Sequence, residues 1–291
     1  MSQYEVRSYH DTYTIYELTE KETDSRVLVC PERGGIVTGC QLKGEELFYL
    51  DKATFEDKSA NIRGGNPILF PICGQLENKT YEWKGHTYEL ANHGVARNAE
   101  WAVIGTDDTD GASLTLRVKS SAATLAAYPF VFELEFTYLL VNGELHTKQI
   151  YRNNGETRSM PFYAGFHPYF AIEGSKNIAY ETDATRYVDY NDNEEKPYEG
   201  SLDMENLVES VCLLDASRPG ISFKIREGVN VRLSYDAAIF KYVVIWSVKN
   251  KPFICVEPWM AKNGELNRQE ELVLLEPGEE LLANFVISCE V

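Results

Sequence analysis

Phe132-Glu133-Leu134-Glu135-Phe136-Thr137-Tyr138, then Asn142-Gly143, then the run from Glu144 to Tyr151, carry the reading of the fold. Phe132, Leu134, Phe136 and Tyr138 fall on one side of an extended chain, and Glu133, Glu135 and Thr137 on the other. A strand turns successive side chains to opposite faces, so this period of two marks a half-buried strand. Asn142-Gly143 supplies two residues that tolerate positive φ, as a two-residue hairpin loop requires. The stretch predicts an antiparallel hairpin with one apolar face.

The same period continues outward. Leu114, Leu116 and Val118 alternate with Thr115, Arg117 and Lys119. Tyr81-Glu82-Trp83 and His86-Thr87-Tyr88 flank Lys84-Gly85, a second hairpin. Ile221 to Ile225, Asn230 to Tyr235, and Tyr242 to Val248 read as strands, as do Leu272 to Leu275 and Leu281 to Ser288 around Pro277-Gly278. Helical period is weak, with short turns expected near Ser201 to Val208 and Leu266 to Leu272. Tyr187 to Asp203, rich in Asp, Asn and Glu, reads as a loop or insertion. There is no repeat and no low-complexity linker. Many short strands with regular turns predict an all-β chain, a large antiparallel sandwich or barrel, with residues 1–291 as one domain.

The chain has 291 residues, a formal charge of -17 and a pI near 4.8. Nucleic-acid grooves demand a basic face, so that partner class is set aside. An anionic substrate would need a local cluster of Arg or Lys. No apolar run approaches the roughly 20 residues that span a bilayer, and Met1 to Asp11 lacks a signal-peptide pattern. The six cysteines are scattered without a C-x-x-C pair. Free buried thiols in a reducing cytoplasm are expected, rather than disulfides or a zinc site.

Four short stretches carry chemistry. In Phe253-Ile254-Cys255-Val256-Glu257-Pro258-Trp259-Met260 a lone carboxylate sits in an apolar strand. Glu is seldom fully buried, and an unpaired buried carboxylate costs several kcal/mol or protonates. Pro258 is expected to end the ladder, leaving Glu257 at a strand end beside Trp259, a good place for a general base. The plainer alternative is a Glu that points to solvent. In Gly165-Phe166-His167-Pro168-Tyr169-Phe170 a His stands between aromatics, held extended by Pro168. A His that titrates near neutrality is the usual acid or base, though a core His bonded to a carbonyl is common. Asn92-His93-Gly94-Val95-Ala96-Arg97 and Arg63-Gly64-Gly65-Asn66-Pro67 gather donors suited to sugar hydroxyls or phosphate. Either could equally be an exposed turn. Gly64-Gly65 lacks the pattern of a phosphate-binding loop.

Taken in order, Arg63-Gly64-Gly65-Asn66-Pro67-Ile68-Leu69-Phe70-Pro71, His93-Gly94-x-x-Arg97, Phe166-His167-Pro168-Tyr169-Phe170 and Cys255-Val256-Glu257-Pro258-Trp259 resemble the aldose 1-epimerase (galactose mutarotase-like) superfamily. The likeness runs from about Val27 to Phe285 and leans toward the bacterial branch and the hexose-6-phosphate mutarotases. It implies a large twisted antiparallel β-sandwich, the galactose mutarotase-like supersandwich, with a sugar cleft on one sheet. It implies that His167 is the general acid and Glu257 the general base. His93 would contact the sugar near its ring oxygen, and Arg63 and Arg97 would help to hold a phosphate. No metal and no redox cofactor is expected, and the partner is a small sugar or sugar phosphate.

Two departures stand out. Gly74-Gln75-Leu76-Glu77-Asn78 replaces the run that completes the galactose-type contact set. The family's substrate-binding Asp is left open among Asp189, Asp203 and Asp236. The expected activity is interconversion of aldose anomers, with Trp259, Phe166 and Tyr169 available to stack on the sugar. The rivals are the same reaction on a hexose 6-phosphate and a carbohydrate-binding protein without catalysis. A two-carboxylate glycoside hydrolase lacks its second shielded carboxylate.

Overall fold

Phe132–Val141 pairs antiparallel with Glu144–Asn153, in register from Phe132 opposite Asn153 to Val141 opposite Glu144. Asn142 and Gly143 take φ of 56° and 69°, the left-handed pair of a type I′ turn. The buried Glu20 carboxylate docks this turn, accepting from the Asn142 N–H at 3.0 Å and the Gly143 N–H at 2.7 Å.

The computed structural model describes residues 3–205 and 207–291. The hairpin lies within a nine-stranded antiparallel sheet. In order its strands are Ser201–Asp203, Asn177–Glu181, Gly220–Arg226, Val229–Tyr235, Glu280–Glu290, Glu144–Asn153, Phe132–Val141, Ala112–Lys119 and Ala102–Asp107. A second, eight-stranded sheet runs Glu194–Pro197, Arg186–Asp189, Val211–Leu213, Tyr242–Trp246, Phe253–Trp259, Gly165–Phe166 and Ile68–Leu69, with Tyr169–Ala171 also on Phe253–Trp259. Residues 4–46 form a five-stranded sheet.

Rings from the inner faces meet in the core. Phe166 stacks on Phe285 at 4.8 Å and lies 6.1 Å from Phe136. Phe70 packs against Phe132, Phe162 and Tyr151 at 5.0, 5.5 and 6.0 Å. Rings of this size supply much of a core's buried apolar area. Phe166 is therefore core, and not a platform for sugar.

Three local expectations need correcting. Tyr187 to Asp203 is largely strand: Arg186–Asp189 and Glu194–Pro197 form a hairpin at the sheet's edge. Its charged side chains suit an edge and hide the alternation. Ser201–Asp203 pairs with residues 177–179 rather than starting a helix; Asn206, within the same expected helical turn, lies outside the described residues. The other helical turn is Glu265–Arg268, stopped by Gln269 at φ 58°. Lastly, Pro258 does not end its ladder, because Val243 pairs with Pro258 and Tyr242 with Trp259.

Candidate active site

The strand Phe253–Trp259 is paired on one side from Cys255 to Trp259, where Val244 faces Glu257. On its other side Tyr169–Ala171 covers Phe253 to Cys255, and Gly165 meets Trp259. Among the described residues no strand faces Val256, Glu257 and Pro258 there. A proline has no amide to donate, so this gap tolerates it. Gly165 lets the short strand approach closely, since a Cβ would stand 2.7 Å from the Pro258 carbonyl oxygen and 2.8 Å from Cys73 Sγ. His167 and Pro168 bridge the gap, with the His167 N–H donating to the Pro67 carbonyl at 3.1 Å.

The gap brings His167 to Glu257, with Nε2 3.5 Å from Oε1. Both are buried, at 6% and 1% exposure, which decides their charge. Burial pushes Glu257 well above the usual carboxylate range; the 3.1 Å hydrogen bond from Trp259 Nε1 to Oε2, and Arg97, oppose this. Burial likewise holds His167 well below the usual imidazole value, and His93 and Arg97 push the same way. Desolvation disfavours both charged forms, so burial favours a neutral acid beside a neutral ring. That state carries one proton, the same count as carboxylate with imidazolium. The His167 ring stacks on Tyr169 at 4.7 Å, which holds its plane.

His93 lies 5.2 Å from the His167 ring. Its backbone is left-handed, at φ 64°, and is locked by a reciprocal pair of bonds. Its N–H donates to the Gly74 carbonyl at 2.7 Å, and the Gly74 N–H donates to Nδ1 at 3.1 Å. Nδ1 is thus an acceptor, and the proton of the neutral ring sits on Nε2. Burial, then Arg97 and Arg63, hold His93 down to about 3, so it is a neutral donor at physiological pH.

These groups border a cleft of about 740 Å³, whose lining includes Arg63, His93, His167, Glu257 and Trp259. Arg63, exposed, stands 5.2 Å over the Trp246 ring. Arg97 is not part of the lining; it is half-buried, and its charge acts on Glu257 and both histidines.

None of the three candidate aspartates lines the cleft. Asp189 binds Lys196 Nζ at 2.7 Å, while Asp203 and Asp236 accept from the backbone of Glu205 and Ala238 in their own turns. The lining instead includes Tyr190, Asn193, Glu209, Trp246, Lys249 and Asn263. Trp246 falls in a stretch read as a strand, but nothing local marks it as cleft-facing, and the neighbourhoods of the others show no period that marks them. Asn263 could have been sought opposite Gly74: its Oδ1 accepts from the Gln75 N–H at 2.7 Å, and a Cβ on Gly74 would overlap it.

The chain matches the aldose 1-epimerase family over residues 16–288. Slr1438 protein from Synechocystis sp. PCC 6803 superposes with a TM-score of 0.92 at 34% identity, covering 96% of each chain. The galactose 1-epimerase of Lactobacillus acidophilus NCFM shares the fold at a TM-score of 0.77 and 14% identity, over 100% of this chain and 99% of that one. Protein LacX (plasmid) of Lactococcus lactis subsp. lactis is 27% identical over 224 residues, 67% of this chain and 73% of that protein. A Salmonella typhimurium protein whose name proposes a glucose-6-phosphate 1-epimerase is 33% identical over 91 residues, 31% of this chain and 28% of its own. The antiparallel sandwich, the cleft and the extent of the match agree: this chain belongs to the aldose 1-epimerase family and is an isomerase acting on carbohydrates.

Proposed function

We propose that this protein interconverts the α and β anomers of an aldose hexose, with Glu257 and His167 opening and reclosing the ring. The observation that carries this is the buried pair itself: Nε2 and Oε1 are 3.5 Å apart at the cleft. With sugar bound, the carboxylate–imidazolium form reacts. Glu257 takes the proton of the anomeric hydroxyl, the C1–O1 bond becomes a carbonyl, and the C1–O5 bond breaks. Its electron pair goes to O5, which receives the His167 proton.

The pair is then neutral acid and neutral imidazole, the state that burial favours. Rotation about C1–C2 presents the other face, and the same transfers run backwards to close the ring. A group matched in this way typically contributes roughly 10²- to 10⁴-fold in rate. His93, with its proton on Nε2, serves as a neutral donor to the ring-oxygen side. Trp246 and Trp259 offer apolar faces to the sugar. Six free, buried thiols fit a cytoplasmic setting.

A second reading, the same exchange on a hexose 6-phosphate, has its own support. Arg63 and Lys249 both border the cleft and are exposed, a local cation on an acidic chain. Arg97 would act there through its charge rather than by contact. The test is proton NMR exchange between anomers on glucose, galactose and glucose 6-phosphate in parallel. Exchange well above the uncatalysed rate is expected, falling by roughly 10²-fold or more in His167→Gln and in Glu257→Gln. Near-normal exchange in either variant overturns the assignment. A preference for the phosphorylated sugar that salt weakens selects the second reading.

A further inference from the structure

Cys255 shares a strand face with Glu257, two residues away, and both turn toward His167. One ligand atom from each of the three lies within 4.8 Å of the other two, and all three residues are buried. The thiol has no part in the anomer exchange, and His167 Nδ1, although buried, has no hydrogen-bond partner among the described residues. We propose that His167, Cys255 and Glu257 form a binding site for one thiophilic divalent cation, Zn²⁺ or Cd²⁺, whose occupancy shuts the cleft's chemistry down. The blocking effect rests on the proposed function; the binding does not.

Charge supports it. A thiol and a carboxyl each give up a proton when they bind a metal, and an imidazole gives a lone pair. A divalent cation replaces two protons, the Cys255 S–H and the Glu257 O–H, which leave to solvent as the metal–sulfur and metal–oxygen bonds form. The His167 lone pair makes the third bond. Two anionic ligands then balance a charge of two, and the buried site stays neutral, the condition under which buried charge is tolerated.

Ligand chemistry and room also fit. Cysteine, histidine and carboxylate are the zinc ligand types, and three of them with an open fourth position describe an accessible site rather than a sealed one. Here the fourth position opens on the cleft, which His167 and Glu257 line. Bonds of about 2.0–2.3 Å set tetrahedral ligands about 3.3–3.8 Å apart, so the trio closes by about an ångström. Trp259 Nε1 already holds Glu257 Oε2, which leaves Oε1 for the metal and supplies an outer-shell partner. Arg97 opposes a cation here and makes the site weaker than a structural zinc site.

The experiment is titration of the full, chelator-treated chain with Cd²⁺, reading the ultraviolet cadmium–thiolate charge-transfer band without sugar. One equivalent is expected, absent in Cys255→Ala and retained in Cys30→Ala, a buried thiol in another cluster. Glu257→Gln keeps the band but weakens binding at least ~10-fold. That variant keeps the thiol in place, so the site is still tested if Cys255→Ala fails to fold. Zn²⁺ should stop anomer exchange, with EDTA restoring it. No band, a band that survives Cys255→Ala, or undiminished affinity in Glu257→Gln overturns the site. A band without exchange on any sugar overturns the proposed function and leaves the site standing.

Discussion

Among the described residues, Trp259 gives Glu257 its one hydrogen bond from a neighbouring side chain, 3.1 Å from Nε1 to Oε2, and that bond lowers the carboxyl pKa against burial. Trp259→Phe keeps an aromatic ring and removes the donor. Its Glu257 should titrate higher, so the alkaline limb of a kcat/KM profile, where the pair loses the Glu257 proton, moves to higher pH. An unmoved limb would show that the indole only packs. Glu257 also has a cost in stability. Its folded pKa lies above the ordinary 4.5. Between those two values the folded chain holds a proton that the unfolded chain has lost, so stability falls as pH rises. Glu257→Gln should therefore unfold at a higher temperature than the parent at pH 8 while losing exchange.

His93 works in the opposite direction. Its folded value is about 3 against an ordinary 6.5. Between them the unfolded chain binds a proton that the folded chain refuses, so stability is intact above 6.5 and drains away as pH falls toward 3. Urea midpoints across that window should show a slope of up to about 1.4 kcal/mol per pH unit from His93, and His93→Gln should flatten it.

At the scale of elements, the site depends on an interrupted ladder and a clamped loop. Gly165→Ala would press a methyl against the Pro258 carbonyl, Cys73 Sγ and the Trp259 ring, all within 2.9 Å of an ideal Cβ. Overpacking of this kind costs about 1–3 kcal/mol, visible in the denaturant midpoint, and it should shift Glu257 enough to lower kcat.

The loop that carries Glu209 is held by Asn191. Its Oδ1 accepts from the N–H of Val208 and Glu209, and its Nδ2 donates to the Glu209 carbonyl. Asn191→Ala frees that wall without touching the acid/base pair, so KM should rise while kcat stays close to the parent. A fall in kcat alone would contradict that role. The hairpins at Asn142-Gly143 and Lys84-Gly85 could be read directly, because positive φ at paired turn residues is a local demand. The hairpin from Arg186 to Pro197 could not: an edge strand with charged faces shows no period of two, and its pairing is set by distant Val211–Leu213.

Across the whole molecule, the two large sheets meet through rings such as Phe166 on Phe285. Phe166→Ala should cost about 3–5 kcal/mol, whereas Val208→Ala, at a side chain 76% exposed, should stay within about 0.5 kcal/mol; thermal unfolding of the two variants makes the comparison. The all-β class, the position of most strands and the short stretches containing His93, His167 and Glu257 are all legible in the linear chain. Alternation, turn chemistry and an isolated polar group in apolar sequence are local properties, and local properties need no partner to be read. Packing in three dimensions was needed to place Glu257 within a strand and not at its end, since Pro258 is tolerated where the neighbouring chain breaks away at His167-Pro168. It was needed too to set Arg97 outside the cleft lining, to keep each candidate aspartate away from the cleft, and to join Cys255 to His167 and Glu257. Those facts depend on which residues, distant in the chain, are brought within a few ångströms of one another, and burial there sets their charge.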